Sequence, residues 1–185
     1  MTLTKTPVCD FGIKAKDFKL KSINNELVSL NDVKGEKATL IMFICNHCPY
    51  VKAIIKDLIL DCKELEKEGV NSVAIMSNDT KNYPADSFDN MVKFAKDNQF
   101  NNLNYLIDET QEIAKNYGAV CTPDFFGYNK DLGLQYRGRF RELKDLKPVK
   151  IGDSDLKLSM KMISQTQKGP DEQIPSMGCN IKWFN

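Results

Sequence analysis

Two hydrophobic periods alternate along this chain. The run Ala38–Ile44 is apolar without interruption, as expected of a strand buried on both faces of a sheet. Directly after it, Val51, Ile54, Ile55, Leu58, Cys62 and Leu65 recur at spacings of three and four. That stripe predicts one long amphipathic helix from about Cys48 to Glu68, closed by Gly69. Val70–Met76 predicts a second buried strand, and 77–85 a polar loop. Phe88, Met91, Val92 and Ala95 predict a helix over 86–98 with those four side chains inward. A short strand over 104–107 then leads into a helix capped by Asp108 and stopped at Gly118.

Apolar stretches at 18–20 and 27–30 flank a turn at Asn24-Asn25. Those at 124–128 and 134–140 flank a hairpin loop over 129–133, and a last helix is predicted over 153–167. Strand–helix alternation bounded by hairpins predicts an α/β fold. Its form is a three-layer sandwich with a central mixed β-sheet, helices on both faces and an N-terminal β-hairpin. Residues 1–167 are expected to form this domain. Residues 168–185, rich in Gly, Pro, Gln and Ser, are expected to be a C-terminal tail anchored on it by Ile181, Trp183 and Phe184.

A length of 185 residues fits that single domain. The 26 Lys and Arg nearly cancel the 25 Asp and Glu, which removes the electrostatic case for a nucleic-acid or anionic-membrane partner. No apolar run approaches the roughly 18 residues of a membrane span. Residues 1–10 carry one lysine and no apolar core, so they do not read as a secretory signal, and a cytoplasmic protein is expected. In that compartment the cysteines at 9, 45, 48, 62, 121 and 179 read as buried residues, metal ligands or redox thiols rather than a disulfide framework.

Cys45-Asn46-His47-Cys48 stands where the buried strand hands over to the long helix. Thiols three apart can close a small disulfide ring, and helix N–H groups and the dipole stabilise a thiolate there. Cys45 is expected to be the exposed nucleophile and Cys48 the resolving thiol. His47, the single histidine, is expected to lower the Cys45 pKa and make the pair more oxidising. A metal site built from Cys45, Cys48, Cys121 and His47 is the competing reading. No second CxxC accompanies the first, so redox chemistry is favoured, and no metal or cofactor is expected. Cys62 falls on the helix stripe and reads as core, whereas Cys9 has no assigned role. Arg137, Arg139 and Arg141 alternate, which reads as a solvated edge face with an anion site as the alternative.

The chain resembles the thioredoxin superfamily, and within it the redoxin branch of peroxiredoxin-like and thiol-disulfide oxidoreductase-like domains. The resemblance rests on the 18–30 hairpin, on Phe43-Ile-Cys-Asn-His-Cys-Pro-Tyr50, and on Gly118-Ala-Val-Cys-Thr-Pro-Asp-Phe-Phe126. With Gly178-Cys-Asn-Ile-Lys-Trp183, it is similar to peroxiredoxin-like proteins that carry a thioredoxin-type CxxC. The resemblance implies that Pro123 is a cis-proline packed against the thiols and that Thr122 presents backbone to a bound substrate, with Asn46 beside it. Cys121 and Cys179 are candidate accessory thiols.

Two departures stand out. The peroxiredoxin P-x-x-x-T-x-x-C pattern fails in both registers. The buried aspartate of thioredoxin matches Thr39 here, leaving Asp124 or a water as the proton acceptor.

The function expected is thiol-disulfide exchange through a mixed disulfide. The alternatives are a thiol peroxidase and a non-enzymatic redox-responsive or metal-binding module. Expected partners are a disulfide-containing protein or small disulfide, or a hydroperoxide, together with a cellular thiol reductant. A monomer or homodimer is expected.

Overall fold

The computed structural model describes residues 2–184. In order the elements are β1 (Leu3–Lys5), β2 (Lys19–Ser22), β3 (Leu27–Ser29), α1 (Leu30–Val33), β4 (Ala38–Phe43), α2 (Pro49–Lys67) and β5 (Val70–Met76). A 3-10 turn (Pro84–Asp86) leads to α3 (Phe88–Asp97), β6 (Asn104–Ile107), α4 (Glu112–Tyr117), β7 (Cys121–Thr122), β8 (Asp124–Asn129) and β9 (Leu134–Tyr136). The chain finishes with β10 (Leu143–Lys144), β11 (Lys147–Pro148), α5 (Asp155–Thr166) and β12 (Met177–Asn180).

Seven strands form one sheet in the order β3-β2-β6-β5-β4-β8-β9. β4 pairs parallel with β5 and antiparallel with β8, and β5 pairs parallel with β6. Alternate side chains of β4 serve opposite cores. Leu40, Met42 and Ile44 join Val51, Ile55 and Leu58 of α2 and Leu156, Met160 and Ile163 of α5. Ile41 and Phe43 join Leu30 and Val33 of α1, and Ala114 and Tyr117 of α4. This is the thioredoxin-like three-layer arrangement, with the CxxC segment at the C-terminal end of β4. No helix of the described residues is long and apolar enough to cross a membrane.

Several expectations are corrected. Val92 faces outward and is 40% exposed; Met91 and Ala95 are the buried positions of α3. Asp108 is not the N-cap of α4. The helix starts at Glu112 after Gln111, whose φ is +63°. The Asp108 carboxylate reaches forward instead and accepts the Ala114 amide at 2.9 Å. β9 ends at Tyr136, so the three arginines share no strand face. Arg137 is buried against Asp124, donating at 3.0 Å, while Arg139 pairs with Asp155 and Arg141 with Asp57. Each guanidinium thus meets a carboxylate, which replaces both the solvated face and the anion site.

The chain's two end regions meet at the thiols. β12 pairs antiparallel with β1 on one side and β7 on the other, placing Cys179 opposite Thr122 and Asn180 opposite Cys121. Gly178 permits this approach, because a Cβ there would sit 2.1 Å from the Thr122 carbonyl oxygen.

Two predictions follow from these packings. Gly178→Ala should force β12 away from β7. The expected loss is about 1–3 kcal/mol, with faster hydrogen exchange at residues 177–180; unchanged exchange there would refute the assigned fit. Arg137→Leu leaves the Asp124 charge buried without its partner and should cost about 3 kcal/mol in denaturant unfolding. Adding Asp124→Leu should recover most of that loss, and a double variant less stable than the single would contradict it.

Candidate active site

The Ile44–Cys48 turn leaves the sheet and starts α2, with Cys48 as N-cap and Pro49 at the first helical position. Pro49 is suited to that place because its missing N–H would have no helical acceptor. The amides of Asn46 and His47 need another partner, and Asp86 supplies it. Its Oδ1 accepts from Asn46 N at 2.8 Å and His47 N at 3.3 Å. Its Oδ2 lies 2.6 Å from His47 Nδ1 and accepts from Asn78 Nδ2 at 2.8 Å.

Burial pushes the Asp86 pKa up, but the hydrogen bonds from His47 and Asn78 outweigh it and hold the carboxyl below its usual range. An ionised carboxylate only accepts, so Nδ1 of His47 carries the proton and donates it to Asp86. Cys45 Sγ stands farther off, at 3.9 Å from that nitrogen. His47 thus donates to Asp86 and keeps Cys45 Sγ as a more distant neighbour. The Asn46 side chain is fixed as well: its amide donates to Ala85 O at 3.2 Å, and it accepts the Tyr105 hydroxyl at 2.9 Å.

Cys45, Cys48, Thr122 and Cys179 converge. The Thr122–Pro123 peptide is cis. Cys45 Sγ is 3.3 Å from Thr122 Oγ1. Cys48 Sγ is 3.0 Å from Thr122 O and 3.1 Å from Cys179 Sγ. All six cysteines are thiols. Cys45 is not exposed as expected: it is 1% accessible and Cys48 0%. β12, seated on β7, brings Cys179 over the pair.

Hydrogen bonding between the two thiols splits their acidities. Cys45 is raised by donating to Cys48, by burial and by the Asp86 charge. Cys48 is lowered by the Cys45 S–H, against the effect of burial, with further help from the Cys179 thiol and the Val51 and Cys179 amides. One contact opposes this, since Thr122 O suits a Cys48 thiol and not its anion. The two thiol and two amide donors outnumber that single carbonyl, so Cys48 is the more acidic partner.

The remaining sequence candidates are spread more widely. Cys121 Sγ turns to Pro123 O at 3.5 Å, and burial raises its pKa. Burial lifts Cys62, in the core, to about 12 and the half-buried Cys9 to about 11. Asp124 is no proton acceptor for the pair, because its oxygens are engaged by Arg137 and the Val120 amide. Burial raises Asp124 to about 6, against the pull of Arg137. Asp86 and Asn78 are the residues that sequence reasoning missed. Asn78 was marked only by a polar loop rich in Asn and Asp, and Asp86 fell at the first position of the helix predicted over 86–98.

Ligand atoms of Cys45, His47 and Asp86 lie within 4.8 Å of one another. His47 Nδ1 already donates to Asp86, so a cation there would have to displace that proton. This trio differs from the Cys45, Cys48, Cys121 and His47 set suggested by the sequence. A cleft of about 410 Å³ adjoins Pro123, lined by Tyr50, Phe140, Leu143, Ile174 and Met177. A larger one of about 530 Å³, beside Cys62 and Phe100, is not lined by Cys45 or Cys48.

Residues 11–140 match the AhpC/TSA family. An uncharacterised conserved protein from Geobacillus kaustophilus is 38% identical, with TM-score 0.94, over 100% of this chain and 97% of that one. A hypothetical protein from Sinorhizobium meliloti is 33% identical, with TM-score 0.90, over 98% of each chain. The pneumococcal exposed lipoprotein thioredoxin from Streptococcus pneumoniae shares the fold. It is 19% identical, with TM-score 0.58, over 81% of this chain and 98% of that one. No curated protein gives a significant match. The lipoprotein corrects the expected cytoplasmic location: this fold also serves outside the cytoplasm, and neither a balanced charge nor a CxxC distinguishes the compartments.

The electrostatics generate a prediction. Negative Asp86 opposes ionisation of Cys45, so Asp86→Asn should lower the pH at which Cys45 becomes alkylatable. Mass-spectrometric labelling against pH would read this, and an unchanged or higher midpoint would remove Asp86 as a cause.

Proposed function

The chain belongs to the AhpC/TSA family, a redox-active enzyme family of the thioredoxin fold, and on that footing we propose that it reduces hydroperoxides with Cys48 as the attacking thiolate and Cys45 as the resolving thiol. One observation carries this reading. β12 already occupies the Thr122 backbone edge, the place where an extended protein substrate would pair. Filling that edge and burying both thiols favours a small reactant over a polypeptide.

Chemically, the Cys48 thiolate attacks one peroxide oxygen and the O–O bond breaks. The alcohol leaves after taking a proton, and Cys48 becomes a sulfenic acid. Cys45 attacks that sulfur, the S–O bond breaks, water leaves and a Cys45–Cys48 disulfide forms. A cellular thiol reductant returns two electrons and two protons. Charge on the departing oxygen falls to the Thr122 hydroxyl and the amides at the start of α2, since Arg137, Arg139 and Arg141 all face carboxylates. His47 and Asn46, fixed by Asp86, Ala85 and Tyr105, hold the turn between the thiols.

The Cys45-x-x-Cys48 spacing favours a second reading, thiol-disulfide exchange with Cys45 attacking and Cys48 resolving. Single-turnover kinetics separates the two. In the peroxide reading Cys48→Ser slows hydroperoxide reduction to the rate of an ordinary free thiol, while Cys45→Ser keeps the first step. In the exchange reading Cys45→Ser abolishes reaction with a disulfide and Cys48→Ser traps a mixed disulfide on Cys45.

The pH profile adds a second check. Cys48 is drawn from 9.0 to about 5, so its thiolate persists as pH falls from 9 toward that value. The first-step rate should therefore stay near its plateau at pH 7, with a midpoint nearer 5 than 9. A midpoint near 9 would count against Cys48.

A further inference from the structure

We propose that Cys179 is a third redox thiol of this site, exchanging with Cys48 to form a Cys48–Cys179 disulfide between α2 and β12. This rests on the reading of Cys45 and Cys48 as a redox pair and extends it to a residue 131 positions away in sequence.

The geometry is specific. Cys179 is opposite Thr122 in the β12–β7 register, and its sulfur is 3.1 Å from Cys48 Sγ. A disulfide needs about 2.05 Å between sulfurs, so an approach of about 1 Å suffices. Gly178 sets the distance by letting β12 close on the Thr122 carbonyl. Cys179 is 3% accessible, which shields it from bulk thiols and leaves Cys48 as its exchange partner. Cys121, in the adjacent strand, directs its sulfur to Pro123 O. Burial and hydrogen bonding to Cys48 raise the Cys179 thiol to about 12, so in the reduced site it holds its proton beside Cys48 Sγ.

Two balanced steps reach the same product. From a Cys48 sulfenic acid, the Cys179 thiol attacks Cys48 Sγ, the S–O bond breaks, and water leaves with the thiol proton. From a Cys45–Cys48 disulfide, Cys179 attacks Cys48 Sγ, the 45–48 bond breaks and the 48–179 bond forms. Cys45 leaves as a thiolate and takes up one proton, balancing the one Cys179 gives up. This second step changes no oxidation state. It returns Cys45 to its thiol form while the oxidising equivalent is held between the helix and the C-terminal strand.

The experiment uses the full chain carrying Cys45→Ser, oxidised with one equivalent of diamide, which joins neighbouring thiols whether or not hydroperoxide reacts. The sample is acid-quenched, denatured, alkylated and digested with trypsin. Cys48 then lies in the 38–52 peptide and Cys179 in the 169–182 peptide, so their bridge appears as a cross-linked pair. The expected result is loss of two alkylatable thiols and that cross-link as the main product. The chain without substitutions should give it beside the internal 45–48 ring, and Cys179→Ser the ring alone. Full alkylation of both Cys48 and Cys179, or a bridge from Cys48 to Cys121 instead, would overturn the proposal. A chain that forms the 48–179 bridge with diamide yet ignores hydroperoxide would support this inference while removing the peroxidase reading.

Discussion

A single buried carboxylate holds the site in shape. The turn between the thiols turns its amides inward, where no strand or helix can receive them. Asp86 receives two of those amides, the His47 ring and the Asn78 side chain on two oxygens. Such a network is stabilising only when every member is satisfied, and this one is. It also reaches the end of the chain. Asn78 accepts the Lys182 amide, and Asp79 donates its own amide to Lys182 O. Gln111, in a left-handed conformation, donates to both Ser77 O and Lys182 O. Its side-chain bonds give this non-glycine residue a reason to hold that backbone shape.

That arrangement changes how the CxxC is understood. A pair at a helix start can present its first sulfur to large substrates. Here Thr122, Cys179 and the loop ending in Asp86 surround both sulfurs, and acidity moves to the second. The His47 ring, which could have served Cys45, is held by Asp86 instead. The CxxC segment supplies the reacting groups, but residues from three separated parts of the chain decide which sulfur carries the charge.

Most of the scaffold was legible in the sequence because burial on both faces leaves a continuous apolar run, as in β4 and β5, and burial on one face leaves the α2 stripe. The position of the thiols followed from those elements. What could not be read depends on contacts distant in sequence. Asp86 looked like a helix residue because nothing local says that its partners lie 40 residues earlier. Arg137 looked solvated until β8 brought Asp124 beside it. β12 is four residues long and starts at an exposed Met177, so it has neither the length nor the alternation that marks a strand. Val92 sat within reach of the predicted apolar face, and only the packing of α3 on β6 shows which side of the helix is covered.

The pairing order of the small sheet bears on how the molecule is made. β1 is joined to the sheet only through β12, and β12 reaches β7 only where Gly178 allows. A ribosome therefore releases residues 3–5 long before their partner at 177–179 exists. Throughout that interval the β7 edge and the Cys45 and Cys48 sulfurs lack their cover, although the β4–α2 unit has already emerged. The nascent chain thus passes through a stage in which its thiols are open to encounters that the finished protein denies them.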